Sequence, residues 1–149
     1  MSVLINDPQL SLINPEISFP ALVENFGFLE DWEDRYRYII DLGKKLPEFP
    51  DSKRKDAYKV RGCMSQVWLV PSRLDGDNDR FAFAADSDAH IVKGLIYVLA
   101  CLYCGVHIDD VSNINAEKSF AQLGLDQHLS PSRRNGVFSM IDSIRNEKT

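Results

Sequence analysis

The stretch SQVWLVPSRLDGDNDRFAFAA, residues 65–85, decides the fold. Residues 65–70 alternate between two sets of side chains, and this period of two predicts a β-strand. The turn-forming run DGDN follows at 75–78, and the apolar residues 81–85 then predict a second strand. Because consecutive strands with a short link pair in opposite directions, we expect an antiparallel hairpin.

Two helices and a short strand are expected before this hairpin. One helix covers residues 20–28 and is capped by Ser18. The next begins after Asp31 and ends before Pro47, which cannot continue a helix. Residues 58–61 predict a short third strand next to the hairpin.

Three helices are expected after the hairpin. The first is capped by Asp86 or Ser87 and runs to about Cys104; the second covers residues 116–123; the third is capped by Ser130. The order of elements is therefore helices, strands, helices. This order predicts an α+β fold in which helices pack on a small antiparallel three-stranded sheet.

The length of 149 residues fits a single domain, which we place at residues 1–149. Pro8 and Pro15 predict a flexible N-terminal arm over residues 1–17. A net charge of −5 argues against binding to nucleic acid, which favours a basic surface. The first residues carry no signal-peptide pattern, and the longest apolar run, 91–106, is shorter than the roughly 20 residues of a membrane span. We therefore expect a cytoplasmic protein that does not bind membranes.

Cys63 is the candidate for chemistry, because it lies between two strand-like runs next to Gly62. Glycine gives the backbone freedom for an exposed turn, from which a thiol can reach a partner. The reactive form is the thiolate, and the nearby Lys59 and Arg61 supply positive charge that favours it. The alternative is that Cys63 is one more small, buried apolar side chain.

The other two cysteines, Cys101 and Cys104, form a CxxC pair inside an apolar helix. A zinc site needs two such pairs, or histidines at ligand spacing. The three histidines show no such spacing, so we expect two core cysteines and no metal site. An odd number of cysteines also argues against a disulfide framework.

Three further positions stand out in the second half of the chain. Arg133 is a candidate contact for a carboxylate on a partner, since arginine binds carboxylates with two parallel hydrogen bonds. Asp88 is a helix-capping residue or an acidic contact for a basic partner. Gly136 lies within a predicted helix, where it costs about 1 kcal/mol relative to alanine, and this predicts close backbone packing.

Four motifs together resemble one family. They are YIIDLG at 38–43, GCMSQVW at 62–68, DSDAHIVKGL at 86–95 and HLSPSRRNG at 128–136. In this order and at these separations the chain is similar to the SufE family of sulfur acceptors, which includes the CsdE proteins. The resemblance covers nearly the whole chain from about Phe19. It implies a fold shared with scaffold proteins of the IscU type.

The resemblance also implies a function. Cys63 matches the acceptor cysteine, which takes a persulfide sulfur from a SufS- or CsdA-type cysteine desulfurase, stimulates that enzyme, and passes the sulfur to a SufBCD-type scaffold for iron–sulfur cluster assembly. Pyridoxal phosphate belongs to the desulfurase, so no cofactor is expected on this chain. The supporting or partner-binding residues are then Arg61, Gly62, Ser65, Gln66, Asp88 and Arg133. Met64 departs from the family, in which glutamine is frequent at this position.

Two other functions stay open at this stage. The first is a regulatory protein that binds a desulfurase without transferring sulfur. The second is an IscU-like metal or cluster scaffold, which the location of two cysteines in an apolar helix disfavours. On the main interpretation the chain is a persulfide carrier rather than a stand-alone enzyme, and the sequence leaves open whether it forms a homodimer.

Overall fold

The computed structural model describes residues 10–74 and 76–147. Six helices and two strands follow in the order α1 (Phe19–Gly27), α2 (Trp32–Gly43), β1 (Val67–Leu74), β2 (Asp77–Ser87), α3 (His90–Tyr103), α4 (Ala116–Gln122), α5 (Leu125–His128) and α6 (Pro131–Glu147). Short 3-10 turns lie at Asp51–Lys53, Asp56–Tyr58 and Ile108–Asn113. The predicted α+β order is confirmed. Within the described ranges, no helix is both long and apolar enough to cross a membrane.

The sheet has two strands instead of the predicted three. β1 and β2 pair antiparallel over nearly their whole length, from Val67 opposite Ser87 to Arg73 opposite Phe81. Residues 58–61 contribute only one bridge, between Lys59 and Trp68. A 3-10 turn precedes this bridge and a left-handed turn at Gly62 follows it, so the chain is extended over too few residues to form a strand.

The helices α2 and α3 approach each other unusually closely in the core. α3 is buried along most of its length and packs against both α2 and the inner face of β2. Gly43 of α2 and Gly94 of α3 face each other, and a methyl group built on either would clash with the other helix. The helices α2 and α3 can therefore lie this close together because neither Gly43 nor Gly94 has a side chain.

The predicted N-terminal arm is only partly within the described residues, since 1–9 lie outside them. Two apolar residues of the described stretch 10–17 are buried. Leu10 is 8% exposed and Ile13 is 1% exposed. The Ile13 N–H donates to the carbonyl of Phe83 at 3.0 Å. Burial of these apolar side chains holds the segment against the core despite Pro15.

Polar caps begin three of the helices as the sequence predicts. Ser18 caps α1 and Asp31 caps α2 through side-chain oxygens, and the Ser130 hydroxyl accepts the backbone N–H of Arg133 at the start of α6. The predicted cap of α3 is wrong. Asp86 and Ser87 are the last residues of β2, because pairing with β1 continues that far, and Ala89 is the N-cap.

We predict that Gly94→Ala destabilises the protein by about 1–3 kcal/mol, as overpacking of a tight core does. The new methyl group would lie 2.0 Å from the backbone oxygen of Ile39, which cannot move without separating the two helices. Urea unfolding followed by circular dichroism measures the change. Gly27→Ala is the matched control, since a methyl group there meets nothing within 4 Å. Equal free energies of unfolding for Gly94→Ala and the wild type would contradict this account of the helix contact.

Candidate functional site

A tight loop, residues 61–66, presents Cys63 between the 3-10 turn and β1. The backbone N–H of Val60 donates to the carbonyl of Val67 at 2.8 Å and closes the base of the loop. Gly62 has φ +89°, a left-handed conformation that favours glycine, so the predicted role of this residue in a sharp turn agrees with the backbone. The loop is therefore short and held at its base.

The Cys63 side chain turns inward and rests on α6. It is half-buried and packs against the apolar core. Its sulfur lies 3.5 Å from the carbonyl oxygen of Gly136, to which the thiol can donate a weak hydrogen bond. The thiol is thus neither fully exposed nor enclosed in the interior.

A cavity of about 370 Å³ opens beside the sulfur. Its apolar floor consists of Val92 and Leu95 from α3 and Val137 and Met140 from α6, whereas the rim is polar and includes Ser65, Ser130, Ser132 and Arg133. Two of the predicted residues, Ser65 and Arg133, therefore meet Cys63 at one site. Clefts of this size with an apolar lining and a few polar groups are typical of binding sites.

Asp88 and Gln66 fix the C-terminal end of the loop, where it enters β1. The Asp88 carboxylate accepts the backbone N–H of Gln66 at 3.0 Å, and the backbone N–H of Asp88 donates to the carbonyl of Gln66 at 3.2 Å. The sequence predicted Asp88 to be a helix cap or a contact for a partner. In the structure its carboxylate instead fixes the loop, and Ala89 is the N-cap of α3. Arg61 is exposed and does not line the cavity.

Burial controls the protonation of all three thiols. It raises the pKa of Cys63, although Lys59 and Arg61 are near in sequence, and it raises the pKa of Cys101 to about 11 and that of Cys104 to about 12. In the observed conformation Cys63 is therefore predominantly a neutral thiol at pH 7. Since the thiolate is the nucleophile, partial burial suppresses its reactivity.

An ion cluster that sequence reasoning missed anchors the strand end leading to Asp88. Asp86 is 8% exposed and pairs with Arg54 at 2.6 Å and with Lys93 at 3.5 Å. The Arg54 guanidinium also lies over the rings of Phe49 and Trp68, at 5.4 and 5.2 Å. No sequence signal connects Arg54 to Asp86, because the two residues are far apart along the chain.

Cys101 and Cys104 lie away from this site. Both are half-buried, pack against the core as predicted, and line a different cavity next to residues 14–20. Within the part of the chain that the structure describes, no three His, Cys, Asp or Glu side chains are grouped so that they could hold a metal ion.

A family model described as "SufE: Fe-S metabolism associated domain" matches residues 20–148. The chain belongs to the SufE family. Two SufE-like proteins, both named as uncharacterized, are similar over 131 residues, which is 87% of this chain. The one from Rhizobium meliloti is 44% identical, with 94% of its length covered, and the one from Rhizobium etli is 45% identical, with 88% covered.

A solved structure supports the fold of this SufE-family protein. The solution structure of a hypothetical protein from Thermus thermophilus matches with a TM-score of 0.69 and covers 87% of this chain and 92% of that one. At 17% identity this match bears on the fold alone. The family resemblance predicted from the four motifs is confirmed, and it connects the chain to iron–sulfur metabolism.

We predict that iodoacetamide modifies Cys63 faster than Cys104 at pH 8, because burial raises the pKa of Cys104 to about 12. The rates should differ about threefold for each unit between the two pKa values, since a higher pKa lowers the thiolate fraction but raises nucleophilicity. All three rates must rise with pH, since a raised pKa leaves less thiolate at neutral pH. Peptide mapping by mass spectrometry after timed labelling gives the three rates. In urea, where burial is lost, the rates should converge. A folded protein in which Cys104 reacts as fast as Cys63 would refute this ranking.

Proposed function

We propose that this SufE-family protein is a sulfur acceptor and carrier, with Cys63 as the residue that holds the sulfur. The observation that supports this most is the position of the thiol. It lies on a short turn at the edge of a cavity, next to two exposed residues, Gly62 and Met64. Cys101 instead lies within α3 and Cys104 is the C-cap of that helix, and burial raises the pKa of these two thiols to about 11 and about 12. The neighbouring Met64 is 86% exposed and offers an apolar contact to a partner.

The transfer step needs no oxidant. The Cys63 thiolate attacks the terminal sulfur of a persulfide on the partner, a new S–S bond forms at Cys63, and the donor's S–S bond breaks. The donor cysteine leaves as a thiolate and takes up the proton that Cys63 lost. A thiol attacks most efficiently when its pKa is near the ambient pH, so contact with the partner must reverse part of the burial that raises the pKa of Cys63.

The partners follow from the chemistry of the family. The donor is a SufS- or CsdA-type cysteine desulfurase, which carries the pyridoxal phosphate, and the recipient is a SufBCD-type scaffold in the cytoplasm. Arg61 and Arg133 offer positive charge on the exposed side of the site, and Arg133 has no carboxylate partner among the described residues. An acidic segment of the donor next to its cysteine would complement these two side chains.

Loading with sulfur tests the proposal. After incubation with desulfurase, cysteine and pyridoxal phosphate, we expect the intact mass of the wild type to rise by one sulfur atom, located at Cys63. Cys63→Ser should lose both the added mass and the stimulation of desulfurase turnover. Cys101→Ser is the matched control and should keep both.

Two results would count against sulfur transfer by Cys63. Full stimulation of the desulfurase by Cys63→Ser would favour a regulatory protein that acts by binding alone. Addition of sulfur at Cys101 or Cys104 in the wild type would assign the wrong cysteine.

A further inference from the structure

Gly136 contacts the sulfur-bearing side chain from the opposite side of the site. It is buried in α6, one turn beyond Arg133. A methyl group built on Gly136 would lie 3.4 Å from the Cys63 sulfur, 3.8 Å from its Cβ and 3.9 Å from its Cα. A methyl group on Gly136 would therefore just touch the cysteine, and a valine would place two further carbon atoms beside this contact.

The backbone of α6 does not explain this glycine. The glycines with positive φ are Gly62, Gly76, Gly105 and Gly124, and Gly136 is not among them. Glycine inside a helix costs about 1 kcal/mol relative to alanine, so the residue is unfavourable for α6 itself. The contact with Cys63 is the feature of the structure that limits the size of the side chain at this position.

Gly62 makes a second close contact between the cysteine loop and α6. A Cβ built on Gly62 would lie 2.5 Å from the hydroxyl oxygen of Ser139. Ser139 is three residues after Gly136, so both lie on one face of α6. The loop thus lies flat on the helix because neither Gly62 nor Gly136 carries a side chain at the points of contact.

This close approach also determines the environment of the thiol. It brings the sulfur to 3.5 Å from the Gly136 carbonyl, which favours the protonated form, and it buries half of the side chain. Arg133 is the charged residue of the cavity lining and Arg61 is the charged residue of the loop, and both are exposed to solvent. The shift in the pKa of Cys63 has burial as its cause.

We propose that Gly136 is a positioning residue for Cys63. Its missing side chain lets the sulfur withdraw onto α6, and a larger residue at 136 holds the loop outward, where the thiol is exposed and reactive. Gly136 thereby sets how far the Cys63 thiol is buried in the free protein. Its biological meaning rests on the proposed sulfur transfer, but the contact itself can be tested without any desulfurase.

The test is the pH profile of Cys63 alkylation by iodoacetamide, with peptide mapping, in full-length Gly136→Val and Gly136→Ala. In Gly136→Val the midpoint of the profile should move to lower pH. The rate at pH 7 should rise about threefold for each unit of that movement, because the thiolate fraction grows tenfold while nucleophilicity falls. Gly136→Ala should move the midpoint in the same direction by less, since a methyl group only touches the sulfur.

Asn135→Val is the matched control, because Asn135 is exposed on the same helix next to Gly136. Its profile should equal that of the wild type. Valine and alanine both favour a helix more than glycine does, so α6 itself is not weakened, and thermal melting confirms that each variant is folded. If Gly136→Val fails to fold, Gly136→Ala alone decides the outcome. An unchanged midpoint in the folded Gly136 variants, or an equal shift in Asn135→Val, would overturn the proposal.

These results stay separate from those on sulfur transfer. A carrier that loads sulfur on Cys63 but shows no effect of Gly136 substitution would leave the proposed function intact and refute only the positioning role. A shifted pH profile in a protein that never acquires sulfur would support the positioning role of Gly136 and refute the proposed sulfur transfer.

Discussion

The contact between the cysteine loop and α6 is the constraint on which the site depends. Two sets of hydrogen bonds fix the loop to the sheet. One joins Val60 to Val67 across the base of the loop, and the other joins Asp88 to Gln66 at the last residue of the loop. Between them, Cys63 turns inward onto α6, where its sulfur lies beside Gly136. The partial burial of the thiol and its raised pKa follow from this arrangement.

The rest of the fold positions the two walls of the cavity. Val92 and Leu95 of α3 form its floor, and α3 is placed by the close contact with α2 at Gly43 and Gly94. The buried carboxylate of Asp86, which pairs with Arg54 and Lys93, fixes the end of β2 just before Asp88. The α2–α3 contact and the Asp86 ion pairs, although distant from Cys63, thus position the elements that surround its sulfur.

Local signals were predictable from sequence, and non-local ones were not. Caps by Ser18 and Asp31 depend on neighbouring residues, so the sequence located them correctly, and the hairpin at 65–85 followed from alternation and a strong turn. The predictions of a third strand and of the α3 cap were wrong because both features depend on partners distant in sequence. For the same reason the sequence singled out Cys63 but not the burial that raises its pKa, nor the role of Arg54.

The most direct test of the central claim is a nuclear Overhauser measurement on the free, reduced protein. If the loop lies on α6, we expect cross-peaks between the β protons of Cys63 and the α protons of Gly136, since a methyl group on Gly136 would touch the cysteine. We expect corresponding cross-peaks between Gly62 and Ser139. Absence of both sets of cross-peaks in a folded protein, with the loop protons contacting only solvent, would contradict the account.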